Sequence, residues 1–262
     1  MSADDILRHA GPREWLGWAV GATWAPVVGA IAAARHARMF HPRGIVATGV
    51  LEPILEGPHA EVARVIAGHA LVRLSGAVSK EPAERFEVLG LGLRISDTRI
   101  VDPAPRKNDQ DLTFATILSP LSMPLSPFTT RSDDFLANRY HAVAPFEIGG
   151  IGRVKIRLVP ASPSPAQREL SRADRFVGDV HAGRAVFVLE VRRTLHRAWV
   201  PLARLSLTEI SDLDQEALRL DPFRDGRGIT PVGFVHGLRR ATYAASQAMR
   251  PEHDQAHAVA AR

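Results

Sequence analysis

The chain has 262 residues, 45% apolar and 23% charged, which excludes the disordered and fibrous classes. It contains no cysteine, which excludes a disulfide scaffold, thiolate-bound zinc, an iron–sulfur cluster and a thiol nucleophile. Lysine occurs only at positions 80, 107 and 155, so the pI of 10.3 rests on arginine, and a net charge of +5 over this length does not argue for nucleic acid.

The N-terminal part is the most unusual in composition. From Trp15 to Ala34 no residue is charged, and Arg35, His36 and Arg38 close the stretch. Its length would span a bilayer, and tryptophan favours membrane interfaces. The stretch is nevertheless mostly Ala and Gly, with Pro26 inside and few Leu, Ile or Val. It therefore reads as a helix packed on the protein or on a second subunit, with membrane attachment through 15–34 as the alternative. Asp4, Asp5 and Glu14 precede it, where a cleaved signal would carry basic residues. The expected location is cytoplasmic, soluble or peripheral to a membrane.

After residue 42 the pattern predicts strands over 44–52, 61–76, 86–95, 112–119, 152–160, 184–193 and 199–207, by alternation or short apolar runs. The Pro/Ser clusters at 119–127 and 160–165 predict loops. Helices are expected over 131–138, 166–180, 211–219 and 234–249. The pattern predicts an α+β chain: an antiparallel β-barrel of about eight strands with helical insertions and N- and C-terminal helices. The organisation expected is an apolar helical segment over 1–37, a barrel domain over 38–251 and a polar tail over 252–262.

Three clusters carry candidate chemistry. Arg239 and Tyr243 are four apart on the C-terminal helix, so their side chains share a face, and Arg250 follows two turns on. A guanidinium beside a phenol favours the phenolate, which is a ligand for ferric haem. Arg38 lies three residues before His41, at the approach to the first strand. Arg73 and Ser75 lie two apart on a strand and so point to one sheet face. A serine hydroxyl near an imidazole would fix its tautomer and orientation, as an acid/base catalyst requires. No G-x-S-x-G, P-loop or dinucleotide fingerprint is present, and His253-Asp254 has no partner set at metal-ligand spacing.

Together the clusters resemble the haem catalase superfamily, near its short, catalase-related branch. The distal Arg-x-x-His motif corresponds to Arg38–His41 followed by Pro42-Arg43-Gly44, the Val-Arg-Phe-Ser motif to Val72-Arg73-Leu74-Ser75, and the proximal Arg-x-x-x-Tyr motif to Arg239 and Tyr243, with Arg250 beyond. The resemblance runs from about residue 36 to 251. It implies haem b, with Tyr243 as the axial ligand to iron and Arg239 stabilising its anion. It also implies Arg38, Arg73 and Arg250 on the propionates and His41, oriented by Ser75, as the acid/base group. The segment that carries asparagines in catalases reads here DLTFATILSP, with Ala115 and Thr116 in their place, and proline stands at 42 instead of a small residue. The chain ends soon after Tyr243, which implies a more open pocket. The expected activity is thus peroxidase-type turnover of hydrogen peroxide or organic hydroperoxides with an unknown reductant, not fast dismutation. The expected assembly is a homo-oligomer, without nucleic acid. The alternative reading is a haem- or lipid-binding protein of the same fold, held to a membrane and without peroxide turnover.

Overall fold

The computed structural model describes residues 44–76, 86–142, 144–165, 169–215, 217–233 and 236. The chain divides into two units. One is His41–Val232, and the other comprises Met1–Phe40 with Gly233–Arg262, of which only Gly233 and His236 are described.

Within His41–Val232 the described strands are β1 (Gly44–Pro53), β2 (Gly68–Gly76), β3 (Leu89–Ser96), β4 (Gln110–Ala115), β5 (Tyr140–Ala142), β6 (Phe146–Ile148), β7 (Gly152–Pro160), β8 (Val186–Arg193), β9 (Val200–Ile210) and β10 (Ile229–Pro231). Every pairing is antiparallel, in the order β7-β5-β4-β3-β2-β1-β9-β8, and β8 pairs back onto β7. The sheet closes into an eight-stranded antiparallel β-barrel, so these strands leave no edge along the closed ring. β6 and β10 extend it from β7, where β5 and β6 share one partner strand.

Alternation decides what fills the barrel. Ala70, Val72 and Leu74 of β2 point inward with Leu89, Leu91, Leu93 and Ile95 of β3, and with Val154, Ile156 and Leu158 of β7, in one apolar core. The second tyrosine, Tyr140, belongs to this core and donates its phenolic hydrogen to Phe135 O at 2.9 Å. Burial raises its pKa well above 10, so it stays a neutral phenol. Gly49 sits at a register shift between β1 and β9, and a Cβ there would fall 2.0 Å from Ser206 O. Only glycine permits that approach.

The segment 213–227 straps the outer face of β1–β4. Leu213, Leu218 and Leu220 cover Val46, Leu71 and Ile100 in a second, smaller apolar cluster. Beneath it, buried Arg94 forks onto Asp111, with Nε to Oδ1 at 2.8 Å and Nη2 to Oδ2 at 2.9 Å, and also donates to Arg219 O at 2.7 Å. Asp111 Oδ2 accepts in addition from Asp221 N and Arg224 Nε. The extra donors on Asp111 Oδ2 help a buried charge pair to be tolerated.

Several expected boundaries shift. The strand expected over 61–76 divides into helix α1 (Ala60–Ile66) and β2. Ala63 and Ile66 are buried at helical spacing, with Glu61 in the first turn and Arg64 in the last. The helix expected over 131–138 is only a 3₁₀ turn at Phe135–Ala137. There Asp134 caps Leu136 N at 2.7 Å and Asn138 bonds both N and O of Arg131, so side chains outcompete the helical ladder. The helix expected over 166–180 is α2 (Arg172–His181), begun by Ser171, whose hydroxyl accepts from Asp174 N. No helix forms among the described residues of 211–219, where Arg94 and the barrel recruit the polar groups instead. The Pro/Ser segment 119–127, expected as loop, is helical in short turns at Pro120–Leu125 and Ser126–Thr129. Of the C-terminal helix expected over 234–249 only His236 is described, and the segment 15–34 lies outside the described residues. Among the described residues no helix is long and apolar enough to cross a membrane.

Candidate functional site

Antiparallel partners share a sheet face, so register places side chains without further argument. Gly44 of β1 pairs with Ser75 of β2, Ser75 with Gly90 of β3, Gly90 with Ala115 of β4, and Ala115 with His141 of β5. His141 in turn faces Arg157 of β7. This transverse row lies on the outer face of the barrel, because the next row, Ile45, Leu74, Leu91, Phe114 and Ala142, packs in or against the core.

Ser75 therefore stands between two glycines, with Ala115 one strand beyond. Arg73 occupies the neighbouring outward row beside Gly92. Both are buried although they face outward, Arg73 to 4% and Ser75 to 3% exposure. A Cβ on Gly44 would meet Arg73 Cζ at 2.9 Å and Leu74 O at 2.5 Å, so the bare backbone there makes room for the guanidinium. Gly44 N donates to Gln215 Oε1 at 3.0 Å, which holds the start of β1 against the strap. The space beside Gly44 is taken by the Arg73 guanidinium, a group that pairs with carboxylates, and the space beside Gly92 by Leu220. Arg73 is of the chemical kind that would pair with a haem propionate. Arg38, His41, Arg239, Tyr243 and Arg250, the other residues of the haem set, lie outside the described residues.

Thr116 differs from Ala115. Its Oγ1 accepts from Leu89 N at 3.1 Å and contacts Thr130 Oγ1 at 2.7 Å, so its hydrogen-bonding capacity is spent on joining β3 to the following turn. Thr116, Leu118, Thr130, Arg131, Arg139 and His141 line part of a half-open cavity of about 410 Å³.

Sequence reasoning did not single out His141. Burial pushes its pKa down to about 4, and Arg157, Arg139, Arg192 and Lys155 add to the shift, so the ring is neutral near pH 7. Next to it, Trp199 lies between two guanidiniums, Arg157 Cζ at 4.1 Å and Arg192 Cζ at 4.8 Å from the ring centroid. Glu190 accepts from Arg157 Nε at 2.6 Å. A three-residue strand holding one histidine has no periodic signature, and only the cross-strand register brings His141 to Ala115. Among the described residues no group of three or more His, Asp or Glu could hold a metal ion.

No protein-family model matches the chain, and no curated protein matches it in sequence.

Proposed function

We propose that the protein is a haem-dependent peroxidase of the catalase-like type, acting on hydrogen peroxide or organic hydroperoxides. The observation that carries this reading is the outer row Gly44–Ser75–Gly90–Ala115 with Arg73 beside it. Gly44, at the end of the first motif, pairs with Ser75 of the second, and Ala115 stands in the same row. His41 lies three residues before Gly44 in the sequence, and Gly44 is the cross-strand partner of Ser75.

In this reading Tyr243 holds the iron as a phenolate, favoured by Arg239. Arg38, Arg73 and Arg250 pair with the propionates through charge-assisted hydrogen bonds. When bound, haem b supplies the ferric centre at which the peroxide O–O bond is cleaved. His41 takes the proton from the inner peroxide oxygen and returns it to the outer one, which leaves as water or an alcohol. Ser75 orients the His41 ring. An electron donor outside the protein returns the two electrons that the peroxide removes. Ala115 offers no amide to orient hydrogen peroxide, which favours donor-dependent turnover over dismutation.

Full-length protein loaded with hemin should reduce cumene hydroperoxide with an added electron donor and evolve little oxygen from hydrogen peroxide. A chain that takes up haem but is inert toward both peroxides would favour the binding protein instead. The burial of Arg73 and Ser75 is common to the two readings, so turnover separates them.

A further inference from the structure

We propose that the segment Leu118–Phe128, with Phe86 beside it, docks the protein on an anionic phospholipid bilayer. Ten large apolar side chains are exposed among the described residues, and five of them, Phe86, Leu118, Met123, Leu125 and Phe128, belong to this one place. Phe86 and Phe128 are 69% and 71% exposed, yet their rings meet edge-on at 5.5 Å. Phe86 holds a left-handed backbone, φ 54°, a conformation uncommon for a bulky side chain. A concentration of exposed apolar groups on one segment marks an interaction site, whereas scattered ones do not.

The hydroxyls of the segment are already satisfied from within. Ser119 and Ser122 form a reciprocal capping box, Ser126 Oγ donates to Ser122 O at 2.9 Å, and Thr130 Oγ1 donates to Ser126 O at 2.8 Å. The hydroxyls thus turn back onto their own backbone and the apolar side chains face outward. Such a segment can leave water without stranding its hydroxyl groups, which favours entry into a lipid interface.

Charge decides the kind of surface. Arg131 and Arg139 share the cavity wall with Leu118, and neither guanidinium has an ion-pair partner among the described residues. Asp133 and Asp134, the acids of the adjoining turn, face Arg175 instead. Lys155 and Arg192 continue the cationic field around His141. Apolar side chains on a short irregular segment, with free cations behind them, complement acyl chains below and phosphates above. This contact is separate from residues 15–34 and does not depend on haem.

The test is co-sedimentation of the full chain with phosphatidylcholine vesicles and with vesicles that also contain phosphatidylglycerol. Binding to the anionic vesicles should be at least roughly tenfold tighter and should weaken with salt. Leu125→Ser with Phe128→Ser should abolish sedimentation, and Arg131→Gln with Arg139→Gln should reduce it to the phosphatidylcholine level. All four side chains are exposed or half-exposed to solvent, so circular dichroism should show both variants folded. Failure of the wild type to bind either vesicle would overturn the proposal. So would a Leu125/Phe128 variant that binds as wild type does, which would move the contact to another segment such as 15–34. Self-association of the wild type that the same variant abolishes, without lipid binding, would make the patch a protein interface instead.

Discussion

Ser75 and Ala115 stand in one outward row of the barrel, separated by the single glycine at position 90. Two strand spacings, about 10 Å, lie between their backbones. Ala115 is therefore the residue of the Ala115/Thr116 pair that shares a face with Ser75, while the hydroxyl of Thr116 is committed to Leu89 N and Thr130.

That difference makes the two asparagine substitutions unequal. Ala115→Asn should raise oxygen evolution from hydrogen peroxide by about tenfold, less than the 10²–10³ typical of a preorganised donor. Thr116→Asn should raise it little and should lower stability by about 1–3 kcal/mol, because Leu89 N loses its buried acceptor. Oxygen-electrode rates and urea midpoints measure both. Equal gains from the two would sink the assignment of faces.

His41→Ala should retain haem and lose peroxide turnover by roughly 10²–10⁴-fold, the usual worth of a general acid/base group. Ser75→Ala should lose less and shift the pH profile of turnover if, as proposed, it acts through the imidazole. Turnover of the His41 variant within a few-fold of wild type would remove that residue from the mechanism.

The strap over β1–β4 hangs on one buried pair. Asp111→Ala should destabilise the protein by about 3–5 kcal/mol, because Arg94, fully buried, would lose its two-pronged carboxylate partner and keep only that of Asp109, at 4.0 Å. Replacing both residues together should cost less than the sum of the single changes. Urea titrations of the three variants give the coupling directly, and strict additivity would contradict the geometry.

Burial and the cations around His141 give a pH dependence with a definite sign. The folded value is about 4 against an ordinary 6.5, so the unfolded chain takes up the proton first as pH falls. The neutral ring's contribution to stability is complete above pH 6.5 and is lost progressively toward pH 4. His141→Asn should flatten the fall of the urea midpoint between those values, and NMR titration should find the wild-type imidazole still neutral at pH 5.

Long alternating strands such as 152–160 and 184–193 were legible because one face of each packs in the barrel core and the other faces outward. The run 61–76 was not, since Val62, Val65 and Ile66 mimic a strand pattern until burial of Ala63 and Ile66 shows the helical period. Strands β5, β6 and β10 have three residues each, too few for any period to show. The candidate face was half legible: spacing put Arg73 and Ser75 on one side of β2, but that Ser75 shares a row with Gly44, Ala115 and His141 is a matter of register between strands. Thr116 reads in sequence as equivalent to Ala115, and only the bonds of its hydroxyl to Leu89 N and Thr130 set it apart.

The most direct test of the central claim is the visible absorption spectrum of the full-length protein titrated with hemin, beside that of Tyr243→Phe. Tyr140, the chain's other tyrosine, is sealed in the core with its hydroxyl on Phe135, so the comparison concerns a single phenol. The account predicts one haem per chain, a Soret band with the features of phenolate ligation, and loss of those features in Tyr243→Phe. A wild-type chain that takes up no haem, or a Tyr243→Phe spectrum identical to wild type, would contradict it.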